Sequence, residues 1–144
     1  MSNIYYKKIK MNDVRQLIKE NIKEYSNKKE LTIDFINFVV DELGIKTKFK
    51  VKLTTNKDKH GIRTTAVYKN NDCEILIYIK NRACVDVLRS ICHEMVHHLQ
   101  NQRGELMNNP NAGDDGSPQE NEANTIAGIM IRKYGRKNPI IYTL

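Results

Sequence analysis

The segment spanning residues 90–102, SICHEMVHHLQNQ, contains three of the chain's four histidines. Two of them, His93 and His97, are four residues apart, and Glu94 directly follows the first. On a helix this spacing places the two imidazoles one turn apart on one face, where both can bind a single tetrahedral ion. The arrangement is H-E-x-x-H, in which the histidines bind zinc and the glutamate is a general base. We therefore predict Zn²⁺ as the cofactor, His93 and His97 as ligands, and Glu94 as the catalytic residue.

The residues around this motif follow a helical period between positions 83 and 103. At 100° per residue, His93 and His97 lie on a polar side, opposite the apolar stripe that the helix buries. The stripe comprises Cys84, Leu88, Ile91, Cys92, Met95 and Leu99, and the polar side also carries Asp86, Ser90 and Gln100. The alternative is a surface helix with two histidines by chance, but the shared polar face favours a metal site. His98, at the edge of the stripe, and His60, in a predicted turn, are expected not to bind the ion.

A catalytic zinc site needs a third protein ligand and an open fourth position. No histidine follows His98, so a carboxylate is expected, and the downstream candidates are Glu105, Asp114, Asp115, Glu120 and Glu122. We favour Glu120, because it borders the inward face of the last predicted helix, whereas Glu122 points outward. The competing role for Glu120 is to complete a capping box that begins at Ser117. Asn124, one turn after Glu120, is expected to accept a hydrogen bond from a zinc-bound histidine.

Together these motifs resemble a known family. HEMVH followed after 22 residues by ENEAN resembles the gluzincins, and ENEANTIAGIM is similar to the ImmA/IrrE-type intracellular peptidases of bacteria and their mobile elements. The resemblance implies a minimal zincin-like fold with His93, His97 and Glu120 as zinc ligands, Glu94 as base and Asn124 in a supporting role. It also implies hydrolysis of peptide bonds in a protein or peptide substrate, with a zinc-bound water whose proton Glu94 removes. The alternatives are a zinc-binding regulatory or scaffold protein and a basic nucleic-acid-associated module.

The remaining periodicity predicts an α+β domain that spans residues 1–144. Short turns between the predicted strands favour a three-stranded antiparallel sheet. Two N-terminal helices precede this sheet, and the H-E-x-x-H helix and the ligand helix follow it. The predicted helices cover residues 12–25, 28–43, 83–103 and 118–134, the strands lie near 48–53, 63–68 and 73–80, and a polar loop covers 104–117.

Several finer expectations follow from this arrangement. Asn27 is the expected N-cap of the second helix, and Gly44 its left-handed C-terminal residue. The strand at 73–80 is apolar on both faces. It is either an edge strand that binds an extended substrate, with Leu76 and Tyr78 lining the cleft, or a strand buried under helices. The loop at 104–117 is interpreted as a mobile connection, with a lid or a weak cation site as alternatives. Candidate donors to the oxyanion are Tyr134, Tyr142 and Arg132.

Composition and charge bound the class of protein. With 40% hydrophobic and 28% charged residues, the chain is typical of a globular protein. The N-terminus has no apolar signal region and no segment is long enough to span a bilayer, so we expect no membrane association and a cytoplasmic location. Three cysteines without paired spacing indicate reduced thiols. The net charge of +7 permits nucleic-acid binding, but the alternating Lys46, Lys48, Lys50 and Lys52 favour a solvated sheet face instead.

Overall fold

A computed structural model describes residues 2–6, 26–60 and 62–144 of the protein. Helices and strands alternate irregularly along these residues, and the predicted α+β class is confirmed. The strands are β1 (Ser2–Tyr6), β2 (Phe49–Thr54), β3 (Ala66–Lys69) and β4 (Glu74–Tyr78). The helices are α1 (Ser26–Leu43), α2 (Lys57–His60), α3 (Cys84–Gln102), α4 (Pro118–Lys137) and a short 3₁₀ helix (Pro139–Tyr142). The helix predicted at residues 12–25 lies outside the described residues.

The sheet differs from the predicted three-stranded antiparallel arrangement. Its four strands have the order β1-β2-β4-β3. β1 is antiparallel to β2, β4 is parallel to β2, and β3 is antiparallel to β4. Ile75, Leu76 and Ile77 of β4 are all fully buried, which is typical of a strand that is covered on both faces and has a parallel neighbour. The prediction that consecutive strands pair in sequence order is therefore wrong for β2 and β3.

This order decides which strand lies at the edge beside α3. β4 is an inner strand, so the suggestion that residues 73–80 offer a free edge to a substrate is wrong, and Leu76 has no exposed surface. β3 occupies the edge instead. In β2 the buried Phe49, Val51 and Leu53 alternate with half-buried lysines, as predicted.

Helix α3 lies at the centre of the packing. Its apolar stripe is buried as predicted, and the helix contacts α1, α4, β3 and β4. Helix α1 reaches α4 through the Phe35 and Phe38 rings, which pack on Tyr134, while the Tyr134 hydroxyl donates to Asp34 at 2.6 Å. α1 ends at Gly44 in the left-handed region, with Ile45 N–H donating to the Val40 carbonyl, as expected for this C-cap. No helix in the described part of the chain has the length and hydrophobicity needed to cross a membrane.

Candidate metal centre

The last turns of α3 and the first turn of α4 bring His93, His97 and Glu120 together. The Nε2 atoms of the two histidines are 3.2 Å apart. Glu120 places Oε1 2.9 Å from His93 Nε2 and Oε2 3.1 Å from His97 Nε2. A tetrahedral ion bound at 2.0–2.1 Å holds its ligand atoms about 3.3 Å apart. The three residues predicted as ligands therefore form a group that can hold a metal ion.

Gln100 determines which ring nitrogen of His97 carries the proton. The Gln100 amide group is buried, and its Nε2 donates to the Gln119 carbonyl at 2.9 Å and to Glu122 Oε1 at 3.0 Å. With both amide hydrogens used, Gln100 Oε1 must be the atom that lies 2.8 Å from His97 Nδ1. Since this oxygen only accepts, the proton of neutral His97 is on Nδ1. The Nε2 lone pair therefore points at Glu120.

This tautomer of His97 makes the cluster suited to a cation. His97 Nε2 and Glu120 Oε2 are both acceptors in this state, yet they lie 3.1 Å apart. Two lone pairs in such contact repel each other unless a proton or a metal ion lies between them. Two imidazole nitrogens and a carboxylate oxygen are a donor set that first-row divalent metals accept. The residues present thus fit a metal ion, with three protein ligands and one side open to the cavity described below.

Glu120 has separate main-chain and side-chain roles. Its N–H donates to Ser117 Oγ at 3.1 Å, so Ser117 caps α4 as predicted. Its carboxylate turns to the histidines and not back to the Ser117 N–H, which donates to the Asp114 carbonyl instead. Glu120 therefore takes part in the helix cap only through its main-chain N–H, and its carboxylate remains available for a metal ion.

Asn124 lies beside His93 in the cavity lining, which is the position expected for a supporting residue. Burial lowers the pKa of His93, while the Glu120 carboxylate and the Asn124 side chain oppose this effect. The ring is therefore held in its neutral form, the form that binds metal ions.

Glu94 is buried beside the cluster and lines the same cavity. Burial, assisted by the negative Glu120, raises the pKa of the Glu94 carboxyl from its usual value near 4.5 to about 8. A cation at the histidines would oppose this shift, because its charge stabilises the ionised carboxylate.

The cluster opens into a cavity of about 620 Å³. One part of its lining is the edge strand and the residues before it, and another part is the loop between α3 and α4. The edge-strand wall comprises Thr64, Thr65, Ala66, Val67 and Tyr68, and the loop wall comprises Leu106, Asn109, Ala112, Gly113 and Asp115. The loop at 104–117, predicted as a plain connection, thus shapes the site.

The other carboxylate candidates are not part of the ligand group, although Asp115 lines the cavity. Glu105 and Asp114 do not join the cluster, and Glu122 accepts from Gln100 instead of facing solvent alone. None of the proposed oxyanion donors lines the cavity, and Tyr134 is committed to Asp34. His98 and His60 are not in the cluster, as predicted.

The sequence analysis assigned no role in the site to Gln100 or to the residues of β3 that line the cavity. Gln100 was placed on the histidine face without a role, although its position three residues after His97 is a signal for a contact on the same helix face. Glu122, its partner, has no such signal, because their contact joins two helices.

No family model, curated protein or solved structure matches this chain. The assignment to the gluzincins therefore stays a prediction from the two motifs. The structure shows that the described residues contain a His/Glu group suited to a metal ion.

Proposed function

We propose that the protein is a zinc-dependent metallopeptidase with His93, His97 and Glu120 as zinc ligands. The observation that carries this proposal is the convergence of the three side chains with the His97 Nε2 lone pair facing inward. Zinc is the favoured metal because two imidazoles, one carboxylate and an open fourth position are typical of its catalytic sites. A structural zinc site would instead have four protein ligands.

Glu94 is the proposed general base. When bound, zinc supplies Lewis-acid activation of a water molecule and of the scissile carbonyl. The Glu94 carboxylate accepts a proton from the attacking water and later donates it to the nitrogen of the departing amine. Its burial keeps bulk water from competing for the proton, and its place in the cavity wall puts it beside the metal ligands.

The edge strand β3 is the proposed binding surface for the substrate. Among the described strands it has a neighbour on one side only, and its residues line the cavity that contains the ligands. An extended peptide can therefore add to this edge through main-chain hydrogen bonds and pass in front of the histidines. This role replaces the one expected for residues 73–80.

The test compares metal content and cleavage in matched variants. Wild type, Glu94→Gln, Glu120→Ala and Glu105→Gln are purified, analysed for bound metal and incubated with a library of peptides derived from a bacterial proteome. We expect one zinc per chain and cleavage in wild type and Glu105→Gln, zinc without cleavage in Glu94→Gln, and neither in Glu120→Ala.

Two outcomes would contradict the proposal in different ways. Wild-type protein that binds no zinc at stoichiometric addition would exclude the metal centre. Zinc bound by wild type with equal, negligible cleavage in wild type and Glu94→Gln would favour a zinc-binding scaffold over an enzyme.

A further inference from the structure

His98, the third histidine of the segment, is almost fully buried although it is not a metal ligand. Its ring lies between Phe49 of β2 and Tyr68 of β3, with ring centroids 5.0 and 5.7 Å away. A buried polar side chain must satisfy its hydrogen bonds, so its partners indicate what it holds in place. These partners lie on two other segments of the chain.

The proton positions along this group can be derived from its acceptors. His98 Nε2 lies 2.8 Å from Thr47 Oγ1 and 3.3 Å from the Thr47 carbonyl, which can only accept. The Thr47 hydroxyl donates to Gln102 Oε1 at 2.9 Å, so Nε2 carries the proton of neutral His98. Nδ1 is then an acceptor for the Tyr68 hydroxyl, which lies 2.8 Å away.

Burial raises the pKa of the Tyr68 hydroxyl, so this group keeps its proton as a donor. Asn101 completes the arrangement, since its Nδ2 donates to the Tyr68 oxygen at 2.9 Å and to the Asn70 carbonyl at 3.0 Å. Every polar atom of the Tyr68 and His98 side chains therefore has a partner.

This network connects the edge strand to the helix that carries the metal ligands. Tyr68 belongs to β3 and lines the cavity, while His98 and Asn101 belong to α3. β3 has only four residues and a strand neighbour on one side among the described strands. Such a short edge strand needs side-chain contacts to stay in place.

We propose that His98 is a positioning residue that locks β3 against α3 through Tyr68, so that the edge of β3 is held ready for an extended peptide. The second half of this statement rests on the proposed peptidase function, whereas the first half does not. His98 is not among the proposed metal ligands and does not itself line the cavity, and it contacts the cavity wall through Tyr68. Its effect on substrate passes through Tyr68.

The experiment uses Tyr68→Phe, which removes one hydroxyl, and His98→Leu, which removes the acceptor. His98→Asn is the rescue variant, because its Oδ1 can accept where Nδ1 did. Tyr78→Phe is the matched control, since that hydroxyl has no hydrogen bond to any described residue. Hydrogen exchange of the amides at 64–70 is compared with that of the amides at 49–54 in each full-length protein, and zinc affinity is measured alongside.

We expect exchange at 64–70 to accelerate about 5- to 10-fold in Tyr68→Phe and His98→Leu, with little further change in the double variant. Exchange at 49–54 and zinc affinity should stay within twofold, and His98→Asn should recover part of the protection. With a cleaved peptide, KM should rise by a similar factor while kcat changes little.

Unchanged exchange at 64–70 in Tyr68→Phe would show that the hydrogen bond between Tyr68 and His98 does not hold β3 against α3. If exchange accelerates but KM does not rise, β3 is locked but does not bind substrate. Wild type that cleaves nothing would remove the peptidase proposal, while the exchange data would still decide whether the lock exists. If His98→Leu does not fold, Tyr68→Phe and His98→Asn decide the outcome.

Discussion

At the scale of single residues, Gln100 contacts the candidate metal site through His97 and is not itself a proposed ligand. It holds the Nδ1 proton of His97 and so keeps Nε2 free. We predict that Gln100→Leu weakens zinc binding by about 10- to 100-fold, because either tautomer of His97 then becomes accessible. Competition with a chromophoric chelator at pH 7.5 measures the affinity.

Gln119 provides the matched control for that experiment. Only its main-chain carbonyl takes part in the contact with Gln100, so Gln119→Ala should keep wild-type zinc affinity. Equal affinity in Gln100→Leu and wild type would show that the tautomer is not held by this residue.

Glu94, the proposed general base, also affects the stability of the metal-free protein. Its pKa is about 8 in the fold and near 4.5 in the unfolded chain. The folded state therefore retains a proton that the unfolded chain releases, and the free energy of unfolding falls as pH rises from about 4.5 to about 8. We predict that Glu94→Gln is more stable than wild type by roughly 1 to 3 kcal/mol at pH 8 in the presence of chelator.

Urea unfolding between pH 5 and 9 measures this difference. Asp86→Asn, which changes an exposed carboxylate on the same helix, should keep the wild-type slope. A wild-type stability that is constant over this range would contradict the prediction.

At the scale of elements, the start of α4 determines the position of Glu120. Ser117 Oγ accepts from Glu120 N–H and donates to the Ala112 carbonyl at 2.7 Å, which joins the helix to the loop wall. We predict that Ser117→Ala lowers the free energy of unfolding by about 1 kcal/mol and zinc affinity several-fold, because the first turn loosens. Thr125→Ala, on the exposed side of α4, should change neither. Thermal unfolding measures the change in stability, and zinc titration measures the change in affinity. An unchanged affinity would show that the Ser117 cap does not influence the metal site.

The end of α3 follows a similar local rule. Gly104 adopts a left-handed conformation, and Glu105 N–H donates to the Gln100 carbonyl at 2.9 Å, a Schellman motif. This motif fixes the last turn, on which Gln100 lies. The end of α3 and the start of α4 were both predicted from the sequence, because helix caps depend on neighbouring residues only.

At the scale of the whole molecule, the metal should stabilise the fold without being required for it. The buried core joins α1, α3, α4 and the sheet and does not include the ligands. We predict that removing zinc leaves the circular dichroism spectrum unchanged. Zinc at 100 times its Kd should raise stability by about 2.7 kcal/mol, which corresponds to roughly 5–10 °C in Tm.

Differential scanning calorimetry with and without zinc measures this shift, and His93→Ala should abolish it. Loss of the cooperative transition in chelator would instead identify a structural metal site. Such a result would also weaken the case for an open catalytic position.

Local spacing along the chain was enough to predict several parts of the protein. The grouping of His93 and His97 follows from one helical turn, and the facing of Glu120 follows from the apolar period of its helix. The class of the fold and the bounds of α3 and α4 were predicted for the same reason, to within a few residues.

The strand order, the cavity walls and the tautomer of His97 became known from the folded structure. β4 lies between β2 and β3 and is buried on both faces, so pairing in sequence order was the wrong rule for it. Gln100 acquires its orientation from Gln119 and Glu122 on another helix. These features arise from contacts between segments distant in the chain, whose energies no local pattern contains.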